Sequence, residues 1–466
     1  MSIAEQAGHV LVAGYSSVEA AIAQIRDLHL GGVIVMEPNV ESADQVRRDV
    51  AALQSAHGRP YPLVVGVDQE GGRVARIGEP VTEFPTLMTL GAARDGALAR
   101  RAARASGAEL RALGFTMVFA PVADVTSGPD DPTIGSRSAS SDPRVAADVA
   151  AAAVRGYADA GILAVAKHFP GHGSVPADSH LELPVQTATL PELRRRDFVP
   201  FEAVTGAHVP AVMVAHIDVQ DVDDGVPSSL SPNVVGLLRK DLGFEGLVIT
   251  DAQNMAAVAG TYGAGEAAVR ALSAGVDVIL MPADVRAAHR AIVAAVSDGR
   301  LPSARLAEAA TRVVALMMRQ GAEVPSPPAS VVGSHELQSY LVSLAGLTVV
   351  SGPCSGRLVG DSIQIVGGTS ADRDRLAAAA NAAGLSVGSG DVVRLLGGDR
   401  AGSGDVVVAL DTPYALADST ATQARIALYG RTPAAFRALV DVLTGVAAGG
   451  GTLPVEVASV EQPGCG

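Results

Sequence analysis

The chain has 466 residues, 48% of them hydrophobic, with 35 basic against 49 acidic side chains and a formal net charge of -14. That length exceeds one ordinary core and points to two domains, while the apolar content excludes a disordered chain. Net acidity repels phosphate backbones at long range, so nucleic acid is not an expected partner.

No apolar run of about 20 residues occurs, which argues against a helical membrane span. The first residues, Met1 to Gln6, carry no basic n-region, so the cytoplasm is the expected compartment. Cys354 and Cys465 lie far apart without metal-ligand spacing and are expected to be unpaired.

Short apolar runs alternate with Ala-rich helical stretches from the start. Strands are expected at Val10–Tyr15, Gly32–Met36, Leu63–Asp68, Thr116–Pro121, Leu163–His168, Val212–His216, Leu247–Asp251 and Val276–Met281. Helices are expected between them, among them Val18–Leu28, Ala97–Leu113, Asp142–Ala160 and Ala264–Ala274. Continuous apolar runs suit parallel strands buried on both faces, and eight of them in alternation predict a (β/α)8 barrel over residues 1–320. The Pro- and Gly-bearing stretch from Gly321 to Gly333, with Pro325, Pro327 and Pro328, reads as a linker, with residues 321–335 between the domains. Over residues 336–466 the alternation resumes on a smaller scale. Strands at Ile363–Val366, Val392–Leu395, Val406–Leu410 and Ile426–Tyr429, with helices Arg373–Ala383 and Ala434–Leu443, predict an αβα sandwich. The Gly367-Gly368-Thr369-Ser370 turn lacks G-x-G-x-x-G spacing, and no cofactor is expected.

Polar residues collect at the C-terminal ends of the barrel strands: Asp68, Asp124, Lys167 with His168, His216 with Asp218, Asp251 and Asp284. That rim is where such barrels build their sites. In Asp68-Gln69-Glu70-Gly71-Gly72-Arg73-Val74-Ala75-Arg76, two glycines allow close backbone approach to a ligand. Asp68 and Arg76 offer an acceptor and a forked donor for neighbouring hydroxyls, or else form an internal ion pair. Glu70 reads as a loop tie.

Lys167-His168-Phe169-Pro170-Gly171-His172-Gly173, followed by Asp178-Ser179-His180, places three histidines near one strand end. Lys167 and His168 can donate to a polar ligand; a Schiff-base lysine is the alternative. In an extended loop residues two apart project to one side, so Asp178 can accept from His180 and leave its other ring nitrogen to exchange a proton. Zinc held by His168, His172 and His180 competes with that reading, but the glycine-rich spacing argues against it and no metal is expected. His172 reads as a loop organiser. Asp251, after an apolar strand, can serve as nucleophile, base or helix cap. Arg137 is a candidate ligand donor, and His216 either lines the pocket or packs.

These motifs resemble those of the β-N-acetylglucosaminidases of glycoside hydrolase family 3, in their two-domain form. The resemblance covers Val10 to about Arg319. It implies Asp251 as nucleophile, His180 as general acid/base oriented by Asp178, and Asp68, Arg76, Arg137, Lys167 and His168 around the sugar. It further implies retaining, exo-acting hydrolysis of terminal β-linked N-acetylglucosamine from muropeptide or chitin-derived fragments. Many relatives follow the nucleophile with a second acidic residue, where this chain has Asp251-Ala252-Gln253-Asn254-Met255, so tolerance of glucose stays open. A histidine acid/base does not repel anions as a carboxylate does, making phosphate a competing acceptor and a phosphorylase the alternative reaction. A non-catalytic sugar-binding barrel is the rival of another class.

Overall fold

The computed structural model describes residues 1–323, 326–398, 400–460 and 464–465. Its first eight parallel strands are β1 (Leu11–Ala13), β2 (Gly32–Val35), β3 (Val64–Val67), β4 (Met117–Val118), β5 (Leu163–Phe169), β6 (Ala211–Val214), β7 (Leu247–Thr250) and β8 (Ile279–Leu280). They are hydrogen-bonded in the order β7-β6-β5-β4-β3-β2-β1-β8. A parallel bridge from Ile249 to Val278 closes the ring. Helices α1 (Val18–Leu28), α2 (Ala43–Gln54), α3 (Gly96–Ala112) and α4 (Pro143–Asp159) follow the first four strands. Their starts are set by side-chain caps: Ser17, Ser42, Asp95 and Asp142 each accept a first-turn backbone N–H.

Strand side chains alternate between the barrel interior and the helices outside. Leu163 and Val165 of β5, Val64 of β3, and Leu247 and Ile249 of β7 point inward and form one cluster with Met117, Phe119 and Met213. Ala164, Val65 and Val248 point outward into the main core. Continuing the same parity to the strand ends brings Asp68, Lys167 and Asp251 to the interior side of one rim. The opposite end is plugged by Val313, Leu316 and Met317 of α5 (Ser303–Glu323), leaving that rim as the open one.

The helix α5 runs to Glu323, three residues into the expected linker, and Pro325 lies outside the described residues. After a short turn at Ala329–Val331, α6 (Glu336–Gly346) begins the second layered unit. Its sheet contains β9 (Thr348–Ser351), β10 (Ser362–Gly367), β11 (Ser386–Val387), β12 (Asp391–Leu396), β13 (Ser403–Ala409) and β14 (Thr420–Ala427), in the order β9-β14-β13-β12-β10-β11. Only the edge strand β9 is antiparallel to its neighbour, so the sheet is mixed. Helices α7 (Ser370–Ala382) and α8 (Pro433–Leu443) pack on it.

The two units share an apolar seam in which Met88 and Ala92 meet Val350, Val407, Ala409 and Tyr429. Polar ties flank it: Arg375 donates twice to Glu83, at 2.7 and 2.9 Å, and the Tyr429 carbonyl accepts from Thr86 Oγ1 at 2.7 Å. The cysteines are not unpaired as expected: Cys354 and Cys465 form a disulfide across a sequence separation of 111. Sequence distance was a poor guide because both residues sit beside β9, where Cys465 Sγ contacts the Val349 carbonyl. Among the described residues no helix is long and apolar enough to cross a membrane.

Candidate active site

Asp68, at the end of β3, accepts from Lys167 Nζ at 2.6 Å, and the same ammonium reaches Glu70 Oε1 at 2.7 Å. Glu70 also takes both arms of Arg137, each at 2.9 Å. Arg137 in turn faces His168 Nε2 at 3.4 Å, and His168 Nδ1 meets Asp124 at 2.7 Å. Four of the five expected sugar-binding residues therefore belong to one bonded chain, with Glu70 inside it and Asp124 at its end. Arg76 stands apart. Its backbone N–H meets the Asp68 carbonyl at 3.3 Å, but its buried Nε has no partner and its guanidinium forms no ion pair among the described residues.

Burial works against every charge in this network, and the partners reverse the balance. Glu70 is almost fully buried, yet Arg137 and Lys167 hold its carboxyl well below the usual range. Burial likewise opposes the Lys167 ammonium, which Asp68 and Glu70 keep protonated above its ordinary value. Asp124, 1% exposed, is held low against burial by His168 and His172. Its contact with Nδ1 fixes His168 with Nε2 as the face turned toward Arg137 and the barrel mouth.

Asp251 follows β7, and its Oδ1 accepts the Ala252 N–H at 2.8 Å. Burial favours its neutral form, but the neighbouring His168 and His216 rings, the Ala252 N–H and Lys167 outweigh it and hold the group at about 2. Asp251 is thus an anion aimed at the barrel axis rather than a cap on a long helix. His216 is fully buried behind it, with Nδ1 2.7 Å from Ser229 Oγ and Nε2 3.1 Å from the Ala252 carbonyl. It packs under the Asp251 turn rather than lining the mouth.

Asp178 and His180 project from the loop after β5. Asp178 Oδ1 accepts from the His180 backbone N–H at 2.9 Å and lies 2.7 Å from its Nδ1. Burial opposes the Asp178 anion, yet these two bonds and the His180 charge hold its pKa below the ordinary value. The His180 side chain is 61% exposed, and with Nδ1 against Asp178 its Nε2 is the ring nitrogen not engaged by that carboxylate. His172, by contrast, is buried and contacts Ser179 Oγ through Nε2 at 2.7 Å. Each histidine of the cluster has its own partner, and among the described residues no three His, Cys, Asp or Glu side chains converge as metal ligands do.

Other strand-end groups serve the scaffold. Asp284 caps the helix Val285–Ser297 from an exposed position, and Asp218 accepts the Gly225 N–H at 3.0 Å. The glycines after Glu70 admit the protein's own Pro85–Thr86 segment rather than a ligand. A Cβ on Gly71 (φ 97°) would lie 2.6 Å from the Pro85 carbonyl oxygen, and one on Gly72 (φ 59°) would lie 2.3 Å from Thr86 Cγ2. Glu70 was legible only as a loop tie, because its partner Arg137 is 67 residues away.

The model of the glycosyl hydrolase family 3 N terminal domain matches residues 3–316. The chain belongs to glycosyl hydrolase family 3. It is 36% identical over 277 residues to "Beta-hexosaminidase A" of Pseudoalteromonas piscicida, a match covering 55% of this chain and 46% of that relative's length. It is 35% identical over 326 residues to "Beta-hexosaminidase LpqI" of Mycobacterium tuberculosis, covering 68% of this chain and 83% of the relative. Among solved structures, a family 3 beta-N-acetylglucosaminidase from Paenibacillus sp. str. FPU-7 superposes with a TM-score of 0.87 at 32% identity, covering 98% of this chain and 99% of the other.

Proposed function

We propose that this family 3 chain is a retaining, exo-acting glycosidase that removes a terminal β-linked N-acetylglucosamine. The observation that carries the reading is the His180 ring held by its own carboxylate partner, Asp178, on a turn whose Ser179 carbonyl bonds the segment following Asp251. In the first step Asp251 attacks the anomeric carbon while His180 Nε2 gives its proton to the departing glycosidic oxygen, which leaves with the bonding pair. In the second, neutral His180 takes a proton from water. The resulting oxygen attacks the anomeric carbon and releases the Asp251 carboxylate. Asp178 stabilises the imidazolium that donates in the first step and is regenerated by the second. Asp68, Lys167, His168, Arg137 and Arg76 hold the sugar hydroxyls, and the unpartnered Arg76 Nε supports that role.

The names of the relatives support the choice of sugar, and muropeptide or chitin-derived fragments are its natural carriers. Phosphate in place of water is the competing acceptor. Family membership together with the Asp178–His180 pairing favours catalysis over a mere sugar-binding barrel. A cytoplasmic location is the compartment in which disulfides are rare, and the Cys354–Cys465 bridge weighs against it.

Aryl β-glycosides of N-acetylglucosamine, glucose and N-acetylgalactosamine, assayed with and without phosphate, test sugar and acceptor together. Asp251→Asn abolishes turnover, and survival within about tenfold of the wild type rejects the nucleophile assignment.

A further inference from the structure

We infer that Ser179, between the two members of the dyad, is the positioning residue that sets His180 relative to Asp251. The inference rests on the glycosidase reading and deepens it. Asp178 and His180 are 30% and 61% exposed at their side chains, whereas Ser179 between them is 1% exposed. Residues 178–182 form a turn, in which the Asp178 carbonyl accepts the Leu181 and Glu182 N–H groups, and the turn leaves the dyad side chains outside and Ser179 against the protein.

The loop is tethered at both ends. At its root the Gly173 carbonyl accepts the Ser127 N–H at 2.7 Å, and Ser174 Oγ donates to Asp197 at 2.8 Å. At its far end the Pro184 carbonyl accepts the Asp218 N–H at 2.9 Å. From Val175 to Leu183, among the described residues, both hydrogen bonds that leave the segment belong to Ser179. Its Oγ lies 2.7 Å from His172 Nε2, and its carbonyl accepts the Ala257 N–H at 3.3 Å.

These two contacts lead to the two halves of the site. His172 is fixed by its backbone N–H, which donates to Asp124 Oδ1 at 2.6 Å, and its ring meets His168 edge-on with centroids 5.9 Å apart. Asp124 also orients His168, so one buried carboxylate aligns a sugar-binding residue and, through His172 and Ser179, the dyad. His172 Nδ1 is buried without a partner, which suits a bare lone pair and makes Nε2 the protonated atom that donates to Ser179 Oγ. Ala257 belongs to the short helix Ala256–Ala259 that follows Asp251 in the chain, so the Ser179 carbonyl ties the dyad to the nucleophile's own segment. Misplacing a proton donor by about 1 Å can cost about 100-fold in rate.

The test compares Ser179→Ala with the wild type on aryl β-N-acetylglucosaminides of graded leaving group. An activated leaving group needs little protonation, so kcat/KM for a dinitrophenyl glycoside stays within about threefold. For an unactivated alkyl or disaccharide substrate it falls about 10- to 100-fold, steepening the dependence on leaving-group pKa. His172→Gln, which keeps a donor amide but shifts it, reproduces the same selective loss, and the double variant loses no more than the larger single loss. Equal losses on activated and unactivated substrates, wild-type behaviour of both single variants, or additive effects overturn the inference. If Ser179→Ala does not fold, His172→Gln alone decides, by the same substrate comparison. Failure of the wild type to cleave any aryl β-N-acetylglucosaminide defeats the underlying glycosidase reading instead.

Discussion

Ser136 Oγ donates a hydrogen bond to Asp411 Oδ1, tying the turn that carries Arg137 to the segment following β13 of the second domain. The same stretch is held again where Ser140 Oγ and the Ser141 N–H both reach the Pro454 carbonyl. From within the barrel, Asp131 accepts the Thr133, Ile134 and Gly135 N–H groups. The turn is therefore braced from two domains.

Asp411→Ala removes the tie to Ser136, leaving the Pro454 contacts in place, without touching any group of the barrel rim. A hydrogen bond of this kind contributes about 0.5–1.5 kcal/mol, so KM for an aryl β-N-acetylglucosaminide rises about 2- to 13-fold. kcat changes less, because Arg137 grips the sugar similarly in ground and transition states. Steady-state kinetics decide the matter, and an unchanged KM means that the Asp131 and Pro454 bonds hold the turn without Asp411.

Glu70 lies under both Lys167 and Arg137, and its removal takes the carboxylate partner from buried Arg137 and leaves Lys167 with Asp68 alone. Glu70→Gln keeps the shape but presents an amide to groups that are themselves donors. Breaking a buried pair from one side costs about 3–5 kcal/mol, which urea titration of the variant measures directly. Sugar binding fails in parallel, with kcat/KM down by at least about 100-fold. A variant of wild-type stability would show that Asp68 and Asp124 carry those charges unaided.

The barrel was legible because its strands are continuous apolar runs, and the rim because polar residues follow them. Asp68, Lys167 and Asp251 were readable by position alone. The Asp178–His180 pairing was readable from its two-residue spacing, but the expected extended loop is a turn, in which the Asp178 carboxylate accepts the His180 N–H and its carbonyl the Leu181 N–H. The runs overstate the ladder: Val276–Met281 reads as a strand, but only Ile279–Leu280 is assigned to one, since the chain stays buried where the barrel curls away. What could not be read is non-local. Asp411 is 275 residues from Ser136, Glu70 is 67 from Arg137, and the cysteines are 111 apart. Such pairs are set by how two domains dock and a sheet twists, and no periodicity announces them.

The Cys354–Cys465 bridge closes a long loop around the second sheet. In the chain-entropy account, a loop of about 100 residues stabilises the fold by about 4.7 kcal/mol. Cys354→Ser therefore lowers the thermal midpoint of the second domain under non-reducing conditions, and adding reductant to the wild type reproduces the loss. Thiol titration of the denatured, unreduced protein detects no free thiol. A full thiol count there would remove the bridge from the native molecule.

Asp197 stands at the root of the dyad loop, where its Oδ1 accepts from Ser174 and its carboxyl presses against Gly171. It is 2% exposed, and burial pushes its carboxyl up to about 6 from 3.8, despite Arg196 nearby. The sign follows from proton counting. Below the unfolded value both states hold the proton, and the group adds no difference. As pH rises from 3.8 towards about 6 the unfolded chain loses a proton that the fold retains, so stability falls, and the full penalty is present above that window. Asp197→Asn keeps an acceptor for Ser174 and removes the charge. It is therefore more stable than the wild type at pH 8, by about 1–3 kcal/mol, and gains little at pH 4. Denaturant titrations of both proteins at the two pH values check this. An equal difference at both would mean that the gain comes from packing and not from relief of a buried charge.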